Sequence, residues 1–329
     1  MCLLYKKILI IIYTFVFIMS GLLVSGVRAD SSLKIQRIWG SDRYITSSYV
    51  VEKGWESSNY AVLVNGENFP DALIASSLAK KFNAPILLTQ SNSLSQNALF
   101  ELNRLGTKDV FIVGGKAVIS EDIEKYINML GINTTRYSGI DRDETSVKVA
   151  GKIGTQNGIF IVSDDDFMDM ISISPIAANL NMPIILVYNN EIPFSVQNFI
   201  SDKYIPMTYV IGDKEVISDS VLDKFPNVKR ITGNGAYERN ANIINAFSNK
   251  LDFSSIFLAY SKEFSNVLSA TSLAAISGNP IVLVGDTISC NAKKVIRSNH
   301  IENLNVLASD TMISESTVNE FINLINGSD

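Results

Sequence analysis

Short runs of branched apolar residues, four or five long, alternate along this chain with longer stretches in which apolar and small polar residues share helical spacing. Such runs predict strands buried on both faces, and the stretches between them predict helices that cover those faces. Residues 60–64 (YAVLV) predict a buried strand ending in a turn at Asn65-Gly66. Pro70 and Asp71 then open a helix, since proline is tolerated in a first turn and a carboxylate there is favoured by the helix dipole. Ala72, Ala75, Leu78 and Ala79 give this helix a small-residue face that can lie close to a sheet. Residues 85–89 predict a second strand, 94–105 a second helix, and 110–113 a third strand closed by Gly114-Gly115. Ser120 caps a third helix through Leu130. Strands and helices alternating in this way imply right-handed crossovers and a parallel sheet.

The same pattern returns twice more. Asp71, Asp169 and Asn266 each precede a proline by fourteen positions, at Pro85, Pro183 and Pro280, so the step between copies is 98 and then 97 residues. Each proline opens an apolar run: Ile86-Leu87-Leu88, Ile184-Ile185-Leu186 and Ile281-Val282-Leu283. Arg37, Arg136 and Arg230, and the helix caps Ser120, Ser218 and Ser314, keep nearly the same step. Landmarks in fixed order at a near-constant period mean three copies of one structural unit. The expected division is 1–29 as a signal segment, then repeats at 30–134, 135–229 and 230–329. The nine residues after the prolines are expected to form a central strand in each module core, buried on both faces and without ligand contact.

Between the copies lie short junctions, 37–46 (RIWGSDRYIT), 136–145 (RYSGIDRDET) and 230–239 (RITGNGAYER). As linkers of this length they favour fixed packing of the units. The first two share the pattern R-x-x-G-x-D-R-x-x-T, which aligns Asp42, Arg43 and Thr46 with Asp141, Arg142 and Thr145. In the third, Gly235 and Ala236 replace the Asp-Arg pair, and Arg239 stands where the threonine should be.

The amino-terminal segment alters the compartment. Lys6 and Lys7 precede an apolar run from residue 8 to 24, and Val27-Arg28-Ala29 has the small residues a signal peptidase reads. Cleavage after Ala29 is expected; the competing reading is a retained anchor, since a run of about 17 apolar residues nears the lower limit for spanning a bilayer. Cleavage removes Lys6, Lys7 and Arg28 and leaves 25 basic against 33 acidic residues, a balance of −8. Such a chain is a poor general binder of nucleic acid or anionic membrane, whose affinity rests on summed positive charge. Cys290 is then the sole cysteine, so hydrophobic cores rather than an internal disulfide must stabilise the product.

The motifs R-x-x-G-x-D-R-x-x-T, N-G-x-x-F-x-D-A-L-x-A, A-P-I-L-L-T and V-x-I-V-G-G-x-x-x-I-S together resemble the cell wall binding repeat 2 family of Gram-positive bacteria. The second copy has Ile211-Gly212-Asp213 in place of the glycine pair, and the third has Ala308-Ser309-Asp310. The resemblance implies an α/β fold of three tandem toprim-like modules with parallel sheets, packed as a pseudo-threefold trimer within one chain. It also implies a secreted protein at the cell wall or cell surface, anchored noncovalently to an anionic, teichoic-acid-like polymer, with other surface-layer proteins as further partners. The chain ends soon after the third repeat, so an anchor without an effector domain is expected.

For that polymer the candidate contacts are Arg37, Asp42, Arg43, Thr46, Arg136, Asp141, Arg142, Thr145 and Arg230, because a guanidinium fork matches a phosphate and regular spacing allows multivalent contact. The competing reading has Arg37 and its equivalents pair with Asp42 and Asp141 across module interfaces. Asp164-Asp165-Asp166, at the end of a predicted strand, could hold Mg²⁺ but is matched by Gly66-Glu67-Asn68 and Ser261-Lys262-Glu263 in the other copies. His300 is the sole histidine, which leaves zinc and Ser-His-Asp chemistry without partners. A noncatalytic protein with no metal or cofactor is expected. The alternative function is a partner that modifies a wall hydrolase by binding protein rather than polymer.

Overall fold

The computed structural model describes residues 33–327 apart from 263–266 and 286. The expected signal segment and Asn266 lie outside those residues. The described chain is α/β and contains three four-stranded sheets, every pairing parallel, in the orders β3-β2-β4-β5, β7-β6-β8-β9 and β1-β12-β10-β11. In the first sheet, β2 (Tyr60–Asn65) lies between β3 (Ile86–Thr89) and β4 (Asp109–Val113), with Val62 in register with Ile86 and Phe111. The second sheet repeats this with β6 (Ile159–Ser163), β7 (Ile184–Val187) and β8 (Thr208–Ile211), and the third with β10 (Ser255–Tyr260), β11 (Ile281–Val284) and β12 (Asn303–Val306).

The junctions are not linkers. Each holds a strand, a tight turn and the start of a long helix. β5 (Asn133–Tyr137) completes the first sheet beside β4, and β9 (Val228–Ile231) completes the second beside β8. The equivalent strand of the first junction, β1 (Lys34–Arg37), pairs with β12 of the third repeat. The chain thus closes on itself, its first strand finishing its last sheet. These strands read KIQR, NTTRY and VKRI, half-exposed edge segments without an apolar run.

The run after each proline is at the opposite edge of its sheet, whereas a central place was expected. All nine of its residues are nonetheless buried. The reason is the helix that leaves each junction: α1 (Arg43–Gly54), α6 (Arg142–Ile153) and α10 (Ala236–Ala246) pack on β3, β7 and β11 respectively. One side chain on each helix hydrogen-bonds to the outer edge of that strand. Ser47 Oγ donates to Ile86 O at 3.3 Å, Ser146 Oγ accepts from Leu186 N at 3.2 Å, and Asn240 both donates to Ile281 O and accepts from Leu283 N. An edge strand covered by a helix in this way is shielded from pairing with another chain.

The remaining first-repeat helices are α2 (Phe69–Ile74), α3 (Ser76–Phe82), α4 (Gln96–Leu105) and α5 (Glu121–Met129). The second repeat adds α7 (Phe167–Asn179), α8 (Phe194–Ile200) and α9 (Asp219–Leu222), and the third adds α11 (Ala270–Ser277), α12 (Cys290–Arg297) and α13 (Glu315–Asn326). Helices α3, α7 and α11, at equivalent positions, pack on one another around a pseudo-threefold axis. Their small residues permit that approach. Ser77 Oγ donates to Met182 O at 2.7 Å, Ser174 Oγ to Leu73 O at 3.2 Å, and Lys80 Nζ to Ile276 O at 2.6 Å, so polar contacts cross from repeat to repeat within one shared core. No helix among the described residues is long and apolar enough to cross a membrane.

Candidate functional site at the junctions

In a parallel α/β sheet, ligand sites form beyond the carboxyl ends of the strands. The junction turns occupy those ends here, and their glycine has a steric cause. A Cβ on Gly40, Gly139 or Gly233 would collide with the helix that follows, at Ile45, Glu144 or Arg239. Asp42 caps α1 by accepting from Tyr44 N and Ile45 N, both at 2.8 Å, and Asp141 caps α6 through Glu144 N at 2.7 Å. Thr46 and Thr145 tie the turn together, each accepting from the glycine N–H at 3.0 Å and donating to the cap carbonyl at 2.9 and 2.8 Å. These four residues therefore build the helix start.

The three junction arginines act alike and face inward. Arg136 Nη1 donates to Gly114 O at 2.8 Å while its Nε reaches Glu124 at 2.8 Å. Arg230 Nη1 donates to Gly212 O and Asp213 O, both at 2.8 Å, and Nη2 to Asp219 at 3.1 Å. Arg37 donates to Ala308 O, Ser309 O and Ile313 O and pairs with Glu315 at 2.7 Å. Each fork thus pins the loop after the neighbouring strand to the helix beyond it, and Arg37 does this for the third repeat from the far end of the chain. Their carboxylate partners are Glu315, Glu124 and Asp219 rather than Asp42 and Asp141.

The second arginine of the motif holds the loop after β2 or β6 of its own repeat, and Arg142 also faces the first repeat. Arg43 Nη1 donates to Gly66 O, and Arg142 Nη1 donates to Asp164 O at 3.0 Å, with the Asp164 carboxylate 3.9 Å away. Arg142 is 40 % exposed, and its Nε and Nη2 have no hydrogen-bond partner among the described residues. Facing it from the first repeat is Asp71, buried, with Oδ2 accepting from Asn68 at 3.1 Å and Oδ1 unpartnered. Burial pushes the Asp71 carboxyl up to about 6, with the Arg142 charge offsetting part of the rise.

At the next seam the same position carries Asp169, and the arrangement is different. Arg239 reaches from α10 with Nε 2.8 and 2.7 Å from the two Asp169 oxygens and Nη2 2.6 Å from Asp166. The side chains of Arg239 and Asp169 are 6 % and 0 % exposed. Burial pushes Asp169 up to about 7, the adjacent Asp166 charge adds to the rise, and Arg239 opposes both. Arg239 in the threonine's place was the visible sequence signal for this clamp. Asp166 is accordingly an ion-pair partner and the cap of α7, through Asp169 N at 3.1 Å. Among the described residues, no group of three or more His, Cys, Asp or Glu side chains is arranged to hold a metal ion.

Three comparisons bear on this geometry. The family model for cell wall binding domain 2 (CWB2) matches residues 37–124, 136–222 and 230–318. The chain is 30 % identical over 317 residues to the N-acetylmuramoyl-L-alanine amidase LytC of Bacillus subtilis (strain 168), covering 96 % of this chain and 63 % of that protein. It is 30 % identical over 298 residues to the Amidase enhancer of the same organism, covering 89 % and 41 %. The chain therefore spans less than two thirds of the length of either curated relative. Among solved structures, Cwp6 and Cwp8 from Clostridium difficile superpose with a TM-score of 0.81 at 26 % identity, over 89 % of this chain and 48 % and 52 % of theirs.

Proposed function

This chain belongs to the cell wall binding domain 2 family and is a cell wall binding protein; from that premise we propose that it anchors noncovalently to an anionic, teichoic-acid-like wall polymer, without catalysis. The observation that carries the reading is Arg142. It is a guanidinium at a repeat seam that spends one nitrogen on the protein and leaves the rest of its fork to solvent. A planar fork of this kind matches a phosphodiester bidentately. Arg37, Arg136 and Arg230 serve the polymer indirectly, by holding the loops that frame the seams. The Asp169–Arg239 clamp fills the equivalent place at the second seam, so the seams are unequal in what they offer a polymer.

The test is co-sedimentation of the full chain with purified cell walls, before and after mild acid extraction of their anionic polymers. Loss of binding on extraction, together with weaker binding by a folded Arg142→Ala protein, is the expected result. Binding that survives extraction overturns the polymer reading.

A second reading, binding to a wall hydrolase, is favoured by one surface feature. Ile140 and Phe194, 95 % and 77 % exposed, flank a cavity of about 430 Å³ with Tyr188, rimmed by Asp141, Glu144 and Glu191. Exposed apolar side chains gathered in one place mark protein contacts more often than polymer contacts. The Amidase enhancer and LytC are relatives of the kind this reading requires. Pull-down of a purified amidase by the parent chain but not by a Phe194→Ser variant would establish it.

A further inference from the structure

Three repeats in one chain allow each position to be compared with its two sisters. One place differs in kind. Where the sheet of the first repeat meets the next repeat's helix, Phe82 and Phe111 lie 4.6 Å apart between ring centroids and Tyr60 stacks on Phe111 at 5.6 Å. Lys152, from α6, lies 5.3 Å over the Phe82 ring. In the second repeat Phe160 and Tyr209 stack at 5.2 Å, and Phe247 closes on Tyr209 edge-on at 4.9 Å. Both places carry aromatic rings, although the second has Leu180 at the position of Phe82 and keeps a cavity of about 450 Å³ lined by Tyr209 and Phe247.

The third repeat has Ser277 at the position of Phe82, Asn305 at that of Phe111 and Ser255 at that of Tyr60. A cavity of about 370 Å³ lies between the β1-β12-β10 face of the third sheet and α1 of the first repeat, and amides line it where Tyr209 and Phe247 line the second repeat's cavity. Asn303 and Asn305, the buried Phe257 and Leu273, and the exposed Lys34 and Lys53 are among the residues that line it, and Asn303 donates from Nδ2 to Ser254 O at 3.3 Å. Asn305 is 4 % exposed and donates from Nδ2 to Ser255 Oγ at 3.1 Å, while Lys53 donates to Gln36. A buried phenylalanine removes about 150–250 Å² of apolar surface from water, so giving up this packing for amides is locally unfavourable. Local choices of this kind concentrate at functional positions.

The lining also indicates a ligand. Amides beside buried apolar side chains suit a sugar ring, whose hydroxyls need paired donors and acceptors and whose C–H face needs an apolar wall. Two ammonium groups in the same lining suit a phosphate attached to it. We propose that this pocket at the seam of the third and first repeats binds a phosphorylated sugar unit, with Asn303 and Asn305 on its hydroxyls and Lys34 and Lys53 on its phosphate. The proposal rests on the anionic-polymer reading above and names the element of the polymer that this seam takes.

The experiment titrates the full chain with glucose 6-phosphate and N-acetylglucosamine 6-phosphate, with the free sugars and inorganic phosphate as the separate halves, read by ligand-observed NMR. At least one sugar phosphate is expected to bind tenfold or more tightly than either of its halves. Asn305→Phe with Ser277→Phe, which rebuilds the first repeat's aromatic plug, is expected to abolish that binding and weaken wall retention. Asn303→Ala, which leaves the packing in place, is expected to weaken it at least threefold and serves if the plugged protein does not fold. No saturable binding by the parent, or binding unchanged in folded variants, overturns the pocket. If Arg142→Ala still weakens wall retention in that case, the anchoring reading stands without it. Sugar-phosphate binding that is lost on plugging, beside wall retention that survives polymer extraction, supports the pocket and overturns the anchoring reading.

Discussion

Arg239 of the third repeat holds both carboxylate oxygens of Asp169 in the second, at 2.8 and 2.7 Å, in an interface that excludes water from both side chains. The degraded third junction makes this contact with the residue that stands in the threonine's place. It substitutes an internal cation for the half-exposed arginine found at the first seam.

Breaking that clamp from one side should be costly. Arg239→Ala would leave the buried Asp169 carboxylate, with the half-buried Asp166 beside it, uncompensated, and the expected loss is about 3–5 kcal/mol of unfolding free energy. Urea titration at pH 7 measures it. Adding Asp169→Asn should recover part of the loss, because the residual penalty comes from the stranded charge; a double variant no better than the single one would contradict that account.

The buried carboxylates also set a pH dependence. Asp71 goes from 3.8 when unfolded to about 6 in the fold, so the folded state holds the proton more tightly. Its contribution is fully present below about 3.8 and is lost as pH rises through 6. At about 1.4 kcal/mol for each pH unit of that difference, Asp71 alone disfavours the neutral-pH fold by about 3 kcal/mol. Asp143, pushed up to about 6 by burial, and Asp169, up to about 7, act in the same sense. Thermal midpoints should therefore be higher at pH 5.5 than at pH 8, and Asp71→Asn should raise the pH 8 midpoint and flatten the profile.

Two arginines six residues apart should separate by assay. Arg136→Ala strands Gly114 O and Glu124, and the expected cost is about 1–3 kcal/mol in stability. Arg142→Ala removes a half-exposed side chain, and its expected cost in stability is about 1 kcal/mol or less, with a several-fold loss in wall retention. Matched denaturation and co-sedimentation curves for the two proteins check this, and the reverse pattern would exchange their roles.

A chain that begins at Ile38 lacks β1 and the Arg37 contacts to Ala308, Ser309, Ile313 and Glu315. Its thermal midpoint should drop by about 4 °C or more, since roughly 1 kcal/mol corresponds to a few degrees in a domain of this size. A synthetic peptide of residues 33–40 should restore part of that loss in trans. No effect of the deletion would mean that the third sheet stands without its fourth strand.

Much of the fold was legible because its buried strands are apolar runs and its period is nearly constant. YAVLV, the run after Pro85 and the Asp71 helix start each appear where the pattern places them. The junction strands were not legible: KIQR and VKRI are half-exposed edge strands, and no local feature of KIQR says that its partner is Asn303–Val306, more than 260 residues away. The edge position of the Ile86 run was hidden for the opposite reason, since α1 buries its outer side and gives it the composition of a central strand. At the seams, the R-x-x-G-x-D-R-x-x-T motif offers Arg136 and Arg142 alike as polymer contacts, and nothing local in it separates the inward-turned Arg136 from the half-exposed Arg142.

The pairing of Lys34–Arg37 with the last repeat closes the ring of the three described repeats. An open solenoid accepts further copies at either end and needs caps there. Here the edge that would receive a fourth copy is already taken by the chain's own beginning, and the three core helices fill the axis. Duplication of one repeat would therefore yield a surplus unit outside the ring rather than a longer assembly. Growth in this architecture must come from domains attached beside the triplet, not from lengthening it.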